Sequence, residues 1–194
     1  MAVKKVATVL KNGGLAVIPT DTILGVVAQA RDKKAVARLY RLRQRMPKKP
    51  CIILIRDSAQ LGSFGVHPTE RERRFLKSVW PGKVSIVFPA EKKWAYLHRG
   101  THTLAFRVPR SALLCALLKK TGPLLAPSAN PEGLPPAKTA PQARAYFGNK
   151  VDGYSGRSAS QEPSTIVSLV NGLRILRRGA VSTEKILRSW RQAG

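Results

Sequence analysis

The chain has 194 residues, 43% of them hydrophobic, and its 35 Lys and Arg against 10 Asp and Glu give a formal net charge of +25. No apolar run approaches the roughly 20 residues that span a bilayer. Cys51 and Cys115 have neither a CxxC motif nor a nearby histidine, which disfavours a disulfide scaffold and a zinc site, so we expect a soluble protein of the reducing cytoplasm.

Helical and strand patterns interleave along the chain. Apolar residues at helical spacing between Ala2 and Leu10 predict a first helix, and the continuous apolar run at residues 15–18 is typical of a strand covered on both faces. Further helices are predicted over residues 33–45, from Thr69 toward Trp80 with a Thr69–Glu72 capping box, over 111–119 and 139–147, and from Ser182 or Thr183 onward. Further strands are predicted over residues 51–55, 84–88, 103–108, 165–170 and 174–176, and at Leu124. This order predicts an α/β fold with a twisted, open, mixed sheet and flanking helices.

A polar segment at residues 19–25 directly follows the first predicted strand. It contains Thr20, Asp21 and Thr22 and ends at Gly25. Such a segment can present hydroxyl and backbone donors to a small polar ligand at the edge of the sheet. A capped turn, in which these side chains bind nearby backbone, is the alternative.

A basic segment at residues 43–50 lies between a helix end and a strand. It carries Arg43, Arg45, Lys48 and Lys49, and two prolines restrict its backbone. This combination favours a polyphosphate ligand, although basic residues at a helix C-terminus are also favourable through the macrodipole alone. Neither a Walker loop nor a GxGxxG fingerprint is present.

The loop of residues 127–135 places polar side chains at the end of a short apolar strand. Its prolines and glycine stiffen the backbone that carries Ser128 and Asn130. Such loops are common ligand sites in α/β proteins, although many are plain turns. Arg107 lies in another apolar strand and needs an anionic partner, either a ligand or an acidic residue such as Asp21 or Glu132.

The positive charge favours a polyanionic partner. Basic residues concentrate at residues 31–49 and 174–191, whereas aromatic residues make up only 6% of the chain and do not interleave with them. This favours contacts with phosphates over stacking on single-stranded bases. Nucleic acid is therefore the expected partner, and a merely solvated basic surface is the alternative.

Taken in order, these segments resemble the YrdC/TsaC family of threonylcarbamoyl-AMP synthases. PTDTILG is similar to the family's PT[DE]TxYG segment, WPGKVSIVF to its WPGPLT segment, and LAFRVP to its xAVRVP strand. PLLAPSANPEGLPP is similar to its SxN loop, and PSTIV with ILRRGAV to its closing pair of strands. The resemblance covers nearly the whole chain and implies one YrdC-like catalytic domain over residues 1–194, with a basic central cavity.

The resemblance also implies a reaction. L-Threonine, bicarbonate and ATP would give threonylcarbamoyl-AMP and pyrophosphate, usually with Mg²⁺. A downstream threonylcarbamoyl transferase complex would use the adenylate to make N6-threonylcarbamoyladenosine at position 37 of tRNA. The resemblance implies neither a membrane partner nor a metal ion bound by protein side chains.

The family's ligand positions can be carried over to individual residues of this chain. The catalytic set would be Arg43, Arg45, Ser128 and Asn130, with Arg43 in place of the usual Lys. ATP would contact Arg43, Arg45, Lys49, Thr103, Ser128 and Arg177. Threonine would contact Thr22, Arg107, Ser164 and the backbone of Ala126.

Two other functions are compatible with the same pattern. One is an RNA-binding or ribosome-associated module that has lost the synthase activity, and steeply salt-dependent RNA binding without ATP turnover would identify it. The other is a carbamoyl-adenylating domain of the kind found in hydrogenase maturation proteins, which would use carbamoyl phosphate. The intact SxN loop favours the synthase over both.

Overall fold

The computed structural model describes residues 3–44, 51–160 and 162–194. The helices are α1 Val3–Lys11, α2 Lys33–Leu42, α3 Glu70–Val79, α4 Ala95–His98, α5 Ala112–Thr121, α6 Ala140–Phe147 and α7 Thr183–Gln192. The strands are β1 Ala16–Ile18, β2 Gly25–Gln29, β3 Ile52–Leu54, β4 Val84–Pro89, β5 Thr103–Arg107, β6 Leu124–Leu125, β7 Gly153–Tyr154, β8 Thr165–Ser168 and β9 Arg174–Arg177.

The strands form one open sheet in the order β7-β1-β2-β6-β3-β5-β4-β8-β9. The pairs β1–β7, β3–β5 and β4–β8 are parallel, whereas the other neighbouring pairs are antiparallel. This arrangement confirms the predicted α/β class and the mixed sheet.

Helices cover both faces of the sheet. On one face α1 and α5 pack their apolar stripes, including Leu10 and Leu117, against alternate strand residues such as Ile18 and Leu124. The next residues along the same strands point to the opposite face and join the larger core under α2, α3, α6 and α7. Because successive strand side chains alternate between faces, the short apolar runs supply both cores at once.

Local signals set one end of each of two helices. The predicted capping box starts α3, since Thr69 Oγ1 accepts the Glu72 N–H at 3.3 Å and Glu72 Oε2 accepts the Thr69 N–H at 2.7 Å. The helix α2 ends at Leu42, earlier than the predicted residue 45, and Gln44 adopts a positive φ of 49°. Arg43 therefore lies just beyond the helix, where its side chain can turn toward the sheet.

Strand β2 is absent from the sequence-based prediction, and so are α4 and β7. Gly25 of β2 pairs with Ile18 of β1, and Ala28 pairs with Leu125 of β6. The polar segment before β2 is therefore the turn of a hairpin. None of the helices among residues 3–44, 51–160 and 162–194 has the length and apolar composition needed to cross a membrane.

Candidate active site

A cavity of about 120 Å³ lies where the β1–β2 turn, the 127–135 loop, the end of β5 and the β8–β9 pair meet. It is lined by six residues with predicted ligand roles: Thr22, Arg107, Ala126, Ser128, Ser164 and Arg177. The other lining residues are Thr20, Ile23, Gly25, Cys51, Ile52, Pro127, Pro163 and Ile166. The structure thus brings together residues as far apart in the chain as Thr20 and Arg177, which are 157 positions apart.

The turn between β1 and β2 orients a pair of threonine hydroxyls. Thr20 Oγ1 donates to the Ile23 carbonyl at 2.6 Å and lies 3.0 Å from Thr22 Oγ1. Because the Thr20 proton is already used, Thr22 must be the donor of the second bond. Thr22 Oγ1 also accepts from Arg107 Nη1 at 3.1 Å, so its position at the cavity wall is set from two sides.

Arg107 is the buried cation of this site, with 4% of its surface exposed. Its Nη2 lies 3.1 Å from Asp21 Oδ1, which identifies Asp21 as the acidic partner that the sequence offered. Burial lowers the pKa of the Arg107 guanidinium, and the neighbouring Asp21 carboxylate opposes that shift. The buried Arg107 Nε has no hydrogen-bond partner among the described residues.

Arg43 holds the 127–135 loop. It is 2% exposed, and its Nε donates to the Asn130 carbonyl at 2.8 Å. Its Nη2 donates to Ser128 Oγ at 3.2 Å and to Asn130 Oδ1 at 3.3 Å. A planar guanidinium can make such divergent bonds from one side chain, which a lysine ammonium cannot reproduce.

Asn130 is also committed to the loop. Its Nδ2 donates to the carbonyls of Pro131 and Leu134, at 2.8 and 2.7 Å. Neither Asn130 nor Arg43 lines the cavity, whereas Ser128 does. Of the predicted catalytic residues that the structure describes, Ser128 alone faces the cavity, and the other two orient its loop.

A glycine lets the 127–135 loop approach β2 closely. Gly25 forms a β-bridge with Ser128, and the Val26 N–H donates to the Pro127 carbonyl at 3.0 Å. A Cβ atom on Gly25 would lie 3.2 Å from Thr20 Cγ2 and 3.3 Å from the Pro127 carbonyl oxygen. This tight packing fixes the distance between the threonine turn and Ser128.

The opposite wall comes from β8 and β9. Arg177 is exposed on the edge strand, and its Nη2 donates to the Ser164 carbonyl at 2.7 Å. Ser164 is 1% exposed, and its hydroxyl lies 2.8 Å from that of Ser85. Arg177 therefore places positive charge at the open side of the cavity.

Thr103, a predicted ATP contact, is also absent from the lining of this cavity. Thr103 lies at the start of β5, opposite to the Arg107 end, and its hydroxyl donates to Thr101 Oγ1 at 3.2 Å. The structure therefore does not bring Thr103 to the lining residues. Arg45 and Lys49 lie outside the described residues.

Sequence reasoning assigned no role to several lining residues. Thr20 and Gly25 belong to the polar segment at residues 19–25, which the sequence identifies as a candidate ligand loop, so their contribution could have been predicted. Cys51 and Ile52 come from an apolar run, and their contribution to the cavity depends on strand order. No local pattern marks an apolar strand residue as part of a ligand site.

Comparison with known proteins identifies the family of this chain. The Sua5/YciO/YrdC family model, described as telomere recombination, matches residues 8–179. A putative threonylcarbamoyl-AMP synthase of Mycobacterium tuberculosis is 35% identical over 181 residues, which are 91% of this chain and 83% of that protein. The threonylcarbamoyl-AMP synthase of Chromohalobacter salexigens is 38% identical over 170 residues, covering 84% of this chain and 90% of that protein.

A solved structure shares the fold. The crystal structure of P. abyssi Sua5 complexed with L-threonine superposes with a TM-score of 0.89 at 28% identity and covers 96% of this chain. The chain spans 56% of that Sua5 chain. The match of the family model over residues 8–179 and the identity to curated relatives over most of their length lead to one conclusion: this chain belongs to the Sua5/YciO/YrdC family.

Proposed function

We propose that this chain is an L-threonylcarbamoyladenylate synthase, which converts L-threonine, bicarbonate and ATP to threonylcarbamoyl-AMP and pyrophosphate. The observation that carries the proposal is the buried Arg107 guanidinium, which lines the cavity and is held by Thr22 and Asp21 at its two terminal nitrogens. The names of the synthase relatives and of the threonine-bound Sua5 structure support the same function.

Threonine would occupy the cavity beside Arg107. A carboxylate is the anion that a fixed guanidinium binds best with directional hydrogen bonds, and the guanidinium is already oriented by Thr22 and Asp21. The cavity of about 120 Å³ is far below the roughly 300 Å³ at which pockets for drug-sized ligands begin, so it suits a small amino acid. Ser164 and the backbone of Ala126 would complete the subsite.

ATP would reach the cavity with its α-phosphate near Ser128. Ser128 Oγ faces the cavity, and the exposed Arg177 contributes charge at its open side. Arg45 and Lys49 are proposed to hold the β- and γ-phosphates. We write Mg²⁺ as part of the substrate, carried by the phosphate oxygens of ATP.

The chemistry requires positioning more than a protein nucleophile. The threonine amine and bicarbonate would condense to a carbamate with loss of water. A carbamate oxygen would then attack the α-phosphorus in line, forming the new P–O bond as the bond to pyrophosphate breaks. Cations around the leaving phosphates and a pre-oriented threonine can each contribute several kcal/mol to such a step.

The proposal includes the later fate of the product. The adenylate would pass to a threonylcarbamoyl transferase complex that modifies adenosine 37 of tRNA, in the cytoplasm. Residues 1–194 would act as one catalytic domain, and the basic surface would attract the tRNA by long-range electrostatics.

The test is product formation from labelled bicarbonate. The protein is incubated with ATP, Mg²⁺, L-threonine and labelled bicarbonate, and threonylcarbamoyl-AMP is identified by mass spectrometry. We expect Ser128→Ala to lower threonine-dependent pyrophosphate release about tenfold, equivalent to about 1.4 kcal/mol, because it removes the hydroxyl nearest the proposed phosphate position. Ser63→Ala, an exposed serine outside the cavity, is the matched control.

Two results would contradict the proposal. Salt-dependent RNA binding without any threonine-dependent ATP turnover would identify a binding module instead. Turnover with carbamoyl phosphate, but not with threonine and bicarbonate, would identify a carbamoyl-adenylating domain.

A further inference from the structure

A second and larger cavity, of about 590 Å³, lies on the other side of the β1–β2 turn. It is bounded by the end of α3, the turn of residues 80–83 before β4, the start of α5 and the helix α7; we call it the Trp80 cavity. We propose that it binds a small organic anion of the phosphomonoester class, with a flat apolar body. This site is separate from the candidate active site, and its proposal does not depend on the synthase activity.

Positive charge surrounds the Trp80 cavity. Lys77, Lys83, Arg110 and Lys185 line it from four different segments. None of these four side chains forms an ion pair with a residue in the ranges 3–44, 51–160 and 162–194. Like charges that converge on a concave surface without a carboxylate partner favour the binding of an anion.

The described residues that line the cavity include a single carboxylate, Asp21, and it already has two partners. Asp21 Oδ2 accepts the backbone N–H of Arg110 at 3.1 Å, and Oδ1 lies 3.1 Å from Arg107 Nη2. The charge of Asp21 is thus balanced by the buried Arg107 rather than by the cations of the Trp80 cavity. The field inside the cavity therefore stays positive.

The start of α5 adds to that field. Ser111 is the N-cap residue and lines the cavity, and the first turn of this ten-residue helix has no acidic side chain. The partial positive charge of a helix N-terminus favours an anion placed near it. The cavity volume and the four side-chain cations are independent observations that point to the same kind of ligand.

The remaining wall is apolar. Leu113 is 42% exposed, and Pro19, Val79, Pro81 and Val181 also line the cavity. A volume of about 590 Å³ lies within the roughly 300–1,000 Å³ typical of sites for small organic ligands. An apolar wall opposite a group of cations suits a molecule with a flat hydrophobic body and a phosphate, rather than inorganic phosphate alone.

The floor of the cavity is preformed. Trp80 is 7% exposed, and its indole Nε1 donates to the Val84 carbonyl at 2.7 Å. Thr20 is the one described residue that lines both cavities, so the two sites are neighbours without sharing their cations. Binding in one can therefore be distinguished from binding in the other by the residues that respond.

The experiment uses the whole chain, labelled with ¹⁵N, and 1-naphthyl phosphate as the probe, without ATP or threonine. We expect the amide signals of Gly82, Lys83 and Ser111 to shift in a saturable manner. The uncharged 1-naphthol and inorganic phosphate should each bind about tenfold more weakly, because each lacks one of the two recognised features. Equal binding of inorganic phosphate would overturn the proposed apolar subsite.

A pair of charge-matched variants tests the location. The double variant Lys83→Gln with Lys185→Gln should weaken binding of the probe about tenfold. The double variant Lys119→Gln with Lys120→Gln removes the same charge from exposed positions outside both cavities and should weaken binding less than about twofold. Equal weakening in both variants would reduce the effect to general attraction by the net charge and overturn the proposal. Shifts confined to Gly25 and Ala126 would place the probe in the candidate active site and overturn it as well. If the double variant fails to fold, Lys185→Gln alone, on an exposed helix face, gives the same comparison against Lys120→Gln.

Discussion

Arg107 is a buried cation whose terminal nitrogens have partners, whereas its Nε has none among the described residues. An ammonium group would keep the charge near Asp21 but could not also reach Thr22 and a ligand in fixed directions. Arg107 therefore contributes the fixed directions of its N–H donors as well as its positive charge.

We expect Arg107→Lys to weaken threonine binding about tenfold, about 1.4 kcal/mol, because the forked donor is lost while the ion pair with Asp21 is kept. Isothermal titration with threonine measures this directly. Arg110→Lys, the exposed neighbour on the far side of Asp21, is the control and should bind threonine as the unaltered protein does. Unchanged affinity in Arg107→Lys would remove Arg107 from the threonine subsite.

Arg43 has a structural role that its predicted role as a phosphate ligand did not include. Its two hydrogen bonds to Asn130 are buried and its bond to Ser128 is partly buried, so truncation leaves acceptors without these partners. We expect Arg43→Ala to lower the free energy of unfolding by about 3 kcal/mol and Arg43→Lys by about half of that. Urea denaturation measures both. An Arg43→Ala variant of normal stability that has lost only nucleotide affinity would show that Arg43 is a phosphate ligand and not a support of the loop.

At the scale of secondary-structure elements, Asp152 connects the start of β1 to α2. Its Oδ2 accepts the Leu15 N–H at 2.8 Å and lies 2.8 Å from Arg38 Nη1. Burial by itself raises the pKa of Asp152, but the Leu15 N–H and the Arg38 guanidinium together lower it below its usual value. The carboxylate therefore stabilises the fold above its unfolded-state pKa of about 4, and that contribution is lost as the pH falls through the lower folded-state pKa.

We expect Asp152→Asn to be less stable than the unaltered protein at pH 7 by about 1 kcal/mol or less, because the side chain is 39% exposed and solvent screens the ion pair. The difference should be smaller at about pH 3 than at pH 7, because acid protonates the carboxylate and removes the charge that Asp152→Asn lacks at both pH values. Urea denaturation at the two pH values measures it, with the exposed Glu162→Gln as control. A difference that grows on acidification would contradict the assigned sign.

At the same scale, the hairpin of β1 and β2 explains how a polar segment and a distant loop form one site. β2 lies between β1 and β6, so the turn before β2 and the loop after β6 emerge side by side. The bridge between Gly25 and Ser128 joins them directly. The segment before β2 was identified as a ligand loop, but the strand itself was not predicted, although Val26, Val27 and Ala28 form an apolar run similar to that of β1.

At the scale of the whole molecule, the net charge of +25 is the dominant property. Such an excess repels itself in the compact state, and salt screens that repulsion: the Debye length falls from about 30 Å at 0.01 M to about 10 Å at 0.1 M. We expect the melting temperature to rise by about 3 °C between 0.01 and 0.3 M NaCl, which for a chain of this size corresponds to about 1 kcal/mol. Circular dichroism on heating measures the change. A constant or falling melting temperature would mean that repulsion among the basic residues does not destabilise the folded chain.

The sequence by itself determined most of the helices and strands in their order, although not β2, α4 and β7. It also determined the α/β class, the capping box at Thr69 and the basic character of the chain. These features depend on periodicity, on caps and on composition, all of which are local. Thr22, Arg107 and Ser128 could be singled out from residue type and position, and the family resemblance placed them in one site.

Only the tertiary structure decided which side chains face the cavity. Arg107 and Thr22 are 85 positions apart, and Arg43 and Asn130 are 87 positions apart, so their contacts depend on strand order and on the direction in which the chain leaves α2. For the same reason, Arg43 and Asn130 hydrogen-bond to each other instead of lining the cavity. Thr103 lies at the opposite end of β5 from Arg107. The Trp80 cavity corresponds to no sequence motif. Residue type can indicate a chemical role, but burial and register decide whether the side chain reaches the place where that role is exercised.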